Sequence, residues 1–354
     1  MHINSKVPGR QPNEIVYITW TVTSTCNFSC SYCSDELHDK EYKFPDINGA
    51  LHFINTLTDS LPKNAYICFS LTGGEPTLWP KLITFLNEVK NIFKNKTQDI
   101  IMAIDTNLSR TNRYWQEFAN KDLWDIVVLH ASYHAEECDP DLFYSNLEII
   151  SNKYIVNASL MLEPSSFKNI VLLAERIQQS LPVDTIIKVI RPKFNPHNLH
   201  EEYTDEMLDY IRDIKKNRFY FNRSKFGRDE DKEPTWPQTM FIDNKRVSFQ
   251  QMIVKKQHSF KGYKCSAGSL RLFIEPNGDI FPCSSLTTSR ITTTDGTIKR
   301  DHTTKNPYLM GNINEKNFKI YKEYITCPVD WCPCLPDALA DKYKINTVSW
   351  RSTK

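Results

Sequence analysis

Between Ile15 and Ile190 the chain repeats one pattern: a short apolar run, a polar connection, then a stretch with apolar residues at helical spacing. Ile15–Val22, Tyr66–Leu71, Ile100–Ile104, Ile126–Ala131, Ile155–Leu162 and Thr185–Ile190 read as strands. Gly49–Leu57, Pro80–Phe93, Asn112–Ala119, Asp141–Ile150 and Lys168–Gln179 read as the helices between them. In Pro80–Phe93, for example, Leu82, Phe85, Leu86, Val89, Ile92 and Phe93 share one face and Pro80 stands near the start. Strand–helix units in this succession predict an α/β fold with a parallel sheet and helices outside.

The first strand runs into Cys26-Asn-Phe-Ser-Cys30-Ser-Tyr-Cys33. Three thiolates on one tight loop can hold three irons of a cubane cluster, leaving the fourth iron open to a small molecule. Zinc is the rival reading, but it prefers four ligands in CxxC-type pairs, and His38 is a poor fourth. The second strand ends in Leu71-Thr72-Gly73-Gly74-Glu75-Pro76. Two glycines let backbone approach a ligand closely, and Glu75 offers a carboxylate to an ammonium group. The plainer reading is a turn between a strand and a helix capped by Thr77.

The CxxxCxxC spacing with Tyr32 before its last cysteine, followed by Gly73-Gly74-Glu75-Pro76, resembles the radical S-adenosylmethionine (SAM) superfamily. The resemblance implies a partial (β/α)6 TIM-like barrel with its active site at the C-terminal strand ends. It implies that Cys26, Cys30 and Cys33 hold a [4Fe–4S] cluster whose open iron chelates SAM. Reductive cleavage of SAM would then give methionine and a 5′-deoxyadenosyl radical. Cofactor contacts fall by the same resemblance to Tyr32, Gly73, Gly74, Glu75, Pro76, Thr106, Asn107, Ser132 and either Lys188 or Arg191. Each has a plainer alternative: Asn107 shapes a turn, Ser132 caps a helix. An electron donor such as flavodoxin or ferredoxin is implied as partner. Cys68, in mid-strand, reads as a small buried hydrophobe, and Cys138 shows no cluster role.

The chain divides by pattern into a barrel (1–192), a charged connecting region (193–261) and a small hairpin-and-helix domain (262–354). In the middle part Asp205–Lys215 reads as helix, Lys216–Asp231 as a solvated connection, and Met240–Phe249 as a hairpin turning at Asp243-Asn244. In the last part Leu270–Cys283 reads as a hairpin turning at Asn277-Gly278. Cys265 and Cys283 stand near its ends, and Cys327, Cys332 and Cys334 follow. This part resembles the Twitch and SPASM auxiliary-cluster domains. Five cysteines imply one auxiliary [4Fe–4S] cluster, without deciding which two of the last three join Cys265 and Cys283. Structural zinc is the rival, and a disulfide fits a reducing compartment poorly. The threonine-rich stretch from 287 to 305 reads as an exposed loop, either surface decoration or a lid.

A net charge of +2 gives no field pointing to nucleic acid or membrane, and no apolar run has transmembrane length. With no signal peptide, a cytoplasmic enzyme is expected. The family's chemistry implies hydrogen abstraction from a substrate carbon, with the auxiliary cluster assisting oxidation or bond formation. A surplus cysteine could instead donate hydrogen. The expected substrate is a peptide or protein side chain. The alternative is a small metabolite such as a sugar, aminocyclitol or nucleotide, and the distant alternative a non-enzymatic iron–sulfur carrier or sensor.

Overall fold

The computed structural model describes residues 1–192, 199–226, 240–287, 291–292, 298–299, 306–315, 318–332 and 334–344. A short strand β1 (His2–Ser5) comes first. The strand–helix units follow: β2 (Ile15–Thr23), α1 (Ile47–Ser60), β3 (Tyr66–Gly73), α2 (Leu82–Phe93), β4 (Asp99–Thr106), α3 (Asn112–Ala119), β5 (Val127–Tyr133), α4 (Pro140–Ser151), β6 (Ile155–Leu162), α5 (Phe167–Ser180) and β7 (Val183–Val189). Strands β2 to β7 lie side by side in chain order, all parallel, in a partial TIM-like barrel. Every residue of β2 is buried, as in strands covered on both faces. Trp20 on β2 is fully buried and meets Phe69, Trp79 and Phe85 edge-on, at centroid distances of 6.3, 6.2 and 6.0 Å.

Side-chain caps mark the starts of α1, α3 and α4. Asp139 accepts from the backbone of Asp141 and Leu142, both at 2.9 Å, and Pro140 takes the first position of α4. Helix α2 starts at Leu82 rather than Pro80, because Pro76–Leu78 first makes a 3₁₀ turn.

The second half continues with α6 (Asp205–Arg212), α7 (Ile214–Asn217), β8 (Arg218–Phe219), β9 (Met240–Ile242), β10 (Lys245–Val247), α8 (Phe249–Val254), β11 (Lys264–Cys265), β12 (Arg271–Ile274) and β13 (Asp279–Phe281). Then come β14 (Ile291–Thr292), β15 (Ile298–Lys299), β16 (Gly311–Asn312), β17 (Ile325–Thr326), α9 (Leu335–Leu339) and β18 (Lys342–Tyr343). The helix expected over Asp205–Lys215 is two helices. Asp213 is extended (φ −88°, ψ 102°) and its carboxylate caps the second through Lys215 N at 2.9 Å. Hairpin β9–β10 turns at Asp243 and Asn244, both left-handed (φ 46° and 64°), as a two-residue type I′ turn requires. In hairpin β12–β13, Gly278 (φ 90°) closes the turn by donating to the Glu275 carbonyl at 2.9 Å. The threonine-rich stretch lies mostly outside the described residues; within it β14 pairs with β15.

The sheets cross the boundaries expected at 192/193 and 261/262. Strand β12 pairs in parallel with β2, from Arg271 opposite Tyr17 to Ile274 opposite Trp20. One ten-stranded sheet results, in the order β16-β13-β12-β2-β3-β4-β5-β6-β7-β8. The hairpin thereby covers an edge of β2 whose backbone would otherwise lack partners. At the far edge, Arg218–Phe219, expected as solvated connection, adds antiparallel to β7, and Arg223 reaches Asp184 at 3.3 Å. A second sheet, β10-β9-β1-β18-β11-β17, sets the N-terminal strand among C-terminal ones.

Candidate functional site

The glycine motif closes on the cysteine loop. A Cβ on Gly74 would lie 2.0 Å from the Thr25 carbonyl oxygen and 2.7 Å from Cys26 N; one on Gly73 (φ 135°) would lie 2.2 Å from the Thr23 oxygen. Gly74 N donates to Thr23 O at 2.9 Å and Glu75 N to Thr25 O at 2.8 Å. The close approach expected toward a ligand is thus made to the protein's own backbone, and it fixes where Cys26 begins.

Glu75 is fully buried at the centre of this junction. Its Oε1 accepts from Thr77 N (3.0 Å), Thr77 Oγ1 (2.6 Å) and Thr106 Oγ1 (2.8 Å), and its Oε2 from Asn107 N at 2.7 Å. Burial pushes its carboxyl above the ordinary range despite these four donors. The ends of β3 and β4 are so joined, and Asn107 Nδ2 reaches Cys26 Sγ at 3.8 Å and Asn27 Oδ1 at 3.2 Å. Pro76 is buried at the head of the 3₁₀ turn.

The loop's other side rests on the segment after β5. Tyr32 stacks on His134 with ring centroids 5.9 Å apart, and its hydroxyl meets His134 Nδ1 at 2.6 Å. Ser31 donates its N–H to Glu136 at 2.7 Å, and Ser29 N donates to Glu137 at 3.1 Å. Burial holds His134 down to about 4, so the ring is neutral at physiological pH. Burial also pushes the Cys26 and Cys30 thiols up to about 12, and charge on neighbouring cysteines adds to it. Such thiols give up their protons only to a metal. The site therefore suits a cluster: three cysteines on one pinned loop, none in a disulfide, with hydrogen-bond donors at the Cys26 sulfur. Cys68 is buried on β3, and Cys138 lies apart, its Sγ 3.6 Å from the Asp139 carbonyl.

Below the strand ends, polar groups from separate strands converge. Asp105 on β4 accepts from Ser70 on β3 at 3.0 Å and meets His130 on β5 at 2.9 Å. Lys188, from β7, is close enough to act on Asp105 electrostatically. Burial alone would raise the Asp105 carboxyl; the His130 bond, with Ser70 and Lys188, holds it below its usual range. Burial pulls Lys188 below an ordinary lysine, with the Asp105 charge opposing and Arg218 assisting. Asp105 keeps 36% side-chain exposure, so the cluster is open to solvent. Ser132 shares the strand face of His130, two residues on, and half-buried Arg191 stands just past β7. Of the cluster around Asp105 the sequence pattern nominated only Lys188; the signal for the rest is polar residues interrupting apolar strands.

The C-terminal cysteines surround a second site. Cys265 ends β11, Cys283 follows β13, Cys327 follows β17, and Cys332 lies in the loop before α9. Together they line one cavity, with Arg271, Asp337 and Lys342 also in its wall. Arg271 (0% exposed) and Asp337 (2%) form an ion pair at 2.8 Å, and Ser284 Oγ donates to Asp337 at 2.6 Å. Removing one member of a buried pair strands the other charge. Arg271→Leu is expected to lower unfolding free energy by roughly 3–5 kcal/mol, and Arg271→Leu/Asp337→Leu to recover most of it, measured by urea denaturation. Among the described residues no three His, Cys, Asp or Glu side chains are close enough to hold a single metal ion. A cubane asks for another arrangement, each thiolate at its own iron.

The fold and the C-terminal cysteine region have counterparts in known proteins. A family model for the SPASM iron–sulfur cluster-binding domain matches residues 265–323, which include Cys265 and Cys283. A GTP 3′,8-cyclase of Microcystis aeruginosa is 27% identical over 136 residues, 37% of each chain. One from Trichodesmium erythraeum is 28% identical over 142 residues, 40% of each chain. The chain thus spans well under half the length of these curated relatives. Among solved structures, native anSMEcpe with bound AdoMet and Kp18Cys peptide superposes with a TM-score of 0.50 at 12% identity, covering 85% of this chain and 78% of that one, a likeness of fold. No helix among the described residues is long and apolar enough to cross a membrane. The SPASM-type iron–sulfur domain at residues 265–323, the six-stranded parallel partial barrel and the similarity to GTP 3′,8-cyclases together support the reading of a radical SAM enzyme.

Proposed function

We propose that this protein reductively cleaves SAM and removes a hydrogen atom from a peptide or protein side chain, with electrons supplied by a flavodoxin or ferredoxin and the C-terminal centre assisting the oxidation. The observation that carries the reading is the junction at Glu75, which ties the glycine motif, Thr106, Asn107 and the start of the cysteine loop into one rigid unit. Cys26, Cys30 and Cys33 would hold the SAM-binding cluster, and Cys265, Cys283 and two of the last three cysteines the auxiliary one. A cluster with SAM bound supplies the one chemistry these side chains lack, a primary radical able to attack an unactivated C–H bond.

The chain's own residues supply position. Glu75 accepts four hydrogen bonds from the protein, so its work is to orient the strand ends rather than to move a proton. The Asn107 side-chain amide faces the Cys26 sulfur. Tyr32 and His134 wall the loop with stacked rings and exclude water from that side. Lys188, Asp105 and His130 make the cluster below a place for a polar or charged substrate group.

A small-metabolite substrate is the second reading. The charged cluster favours it, as do relatives whose name denotes an enzyme acting on a nucleotide. Both readings are tested by adding dithionite and SAM to the reconstituted protein, with deuterated cell extract split into peptide and small-molecule fractions. Deuterium in 5′-deoxyadenosine is expected from the peptide fraction. Its appearance from the other fraction alone would move the substrate to the second reading. No 5′-deoxyadenosine under any condition would overturn the enzyme reading.

A further inference from the structure

Among the described residues, three side-chain charges are buried at the C-terminal cavity, Arg271, Asp337 and Lys342, and they do not balance. Arg271 and Asp337 neutralise each other, and Asp337 takes a further bond from Ser284. Lys342 is 1% exposed and has no carboxylate within ion-pair distance among the described residues. Its ammonium donates only to backbone carbonyls, those of Asp337, Ala338 at 3.2 Å and Ala340 at 2.8 Å, and lies over the Phe260 ring 5.3 Å from its centroid. A buried ammonium needs a negative partner, and backbone dipoles only share its charge.

The sheet register shows where that partner stands. Lys342 on β18 is directly opposite Cys265 on β11, and both line the cavity with Cys283, Cys327 and Cys332. Cys334 is outside this ring. It sits at the head of α9, with its Sγ 3.5 Å from Ser284 Oγ, and does not line the cavity. The spacing Cys327-Pro-Val-Asp-Trp-Cys332-Pro-Cys334 left open which two of these three join Cys265 and Cys283, and the fold sets Cys334 apart from the other two.

We propose that Cys265, Cys283, Cys327 and Cys332 form the complete ligand set of the auxiliary cluster, that Cys334 is not a ligand, and that Lys342 is the cluster's built-in counter-charge, raising its reduction potential. This rests on the reading of the C-terminal site as an iron–sulfur centre. Four thiolates make the centre anionic, and each added electron deepens that charge, so a fixed positive charge beside it favours the reduced form. With a thiolate at every iron, none is left for substrate, and electron exchange is the chemistry remaining to the centre.

The test uses the full chain with Cys26, Cys30 and Cys33 changed to alanine, so that only the C-terminal centre is loaded. In that background Cys334→Ser is expected to keep all its iron, about four per chain, and Cys332→Ser to lose most of it. Lys342→Met and Lys342→Gln, the second keeping a donor for the carbonyls, are both expected to lower the midpoint potential in an EPR-monitored titration. Lys342→Arg is expected to hold it near the parent value. Equal iron loss in Cys334→Ser and Cys332→Ser would overturn the ligand set. Unchanged potentials in both neutral variants would overturn the counter-charge. One zinc and no iron in the parent would overturn the iron–sulfur reading and the potential claim with it. The same pair of cysteine variants, read as zinc per chain, would still decide the ligand set.

Discussion

Changing Cys26, Cys30 and Cys33 together to alanine is expected to take the anaerobically reconstituted protein from about eight irons per chain to about four, and to abolish 5′-deoxyadenosine formation. The loop is held from outside the trio, by the Gly73–Glu75 backbone on one side and by Glu136, Glu137 and His134 on the other. The fold should therefore survive the change, and unaltered far-ultraviolet circular dichroism would confirm that only the ligands were lost. Iron and sulfide analysis gives the count. A fall from about four to none would mean that the C-terminal cysteines hold no cluster, and a redox-neutral reaction would then replace the assisted oxidation.

Gly74→Ala should be nearly as damaging without touching a cysteine. The new methyl would meet Thr25 O at 2.0 Å, Thr25 C at 2.3 Å and Cys26 N at 2.7 Å, all main-chain atoms. A flexible side chain could swing aside; a strand end bonded to its neighbour can only be pushed. Overpacking of this kind costs about 1–3 kcal/mol, at times more. The displacement falls on the first cysteine of the loop, so iron is expected to drop toward the level of the triple variant. Wild-type iron and 5′-deoxyadenosine formation in Gly74→Ala would show that the junction yields and does not position the loop.

Local patterns carried the barrel strands and both hairpin turns. Ile155–Leu162 and Asn112–Ala119 match their expected bounds, because apolar alternation and helical spacing are written in neighbouring residues. The strands that could not be read are those stabilised only by distant partners. His2–Ser5 shows no periodicity of its own and gains its structure between Met240–Ile242 and Lys342–Tyr343. Arg218–Phe219 sits in a charge-dense stretch and becomes a strand only against β7. The site divides in the same way. The cysteine trio and the glycine motif are contiguous strings, visible before any fold is known, whereas Asp105 with His130, and Lys342 with Cys265, meet only after strands pair. Glu75 was legible as a carboxylate at a strand end; that four groups of the protein itself would take up its oxygens was not.

The place of β1 bears on how such a protein is made. Ile3 pairs with Lys342 on one side and Ile242 on the other, so a strand that leaves the ribosome early must wait for segments synthesised hundreds of residues later. Contacts of such separation form slowly and leave strand edges open meanwhile. Among themselves the barrel strands β2 to β7 pair in chain order and can assemble during synthesis, leaving the outer edge of β2 to wait for β12. The sheet that carries Cys265 and Lys342 cannot be completed until β18 has emerged and captured β1, so a metal at the C-terminal site would be loaded after that step.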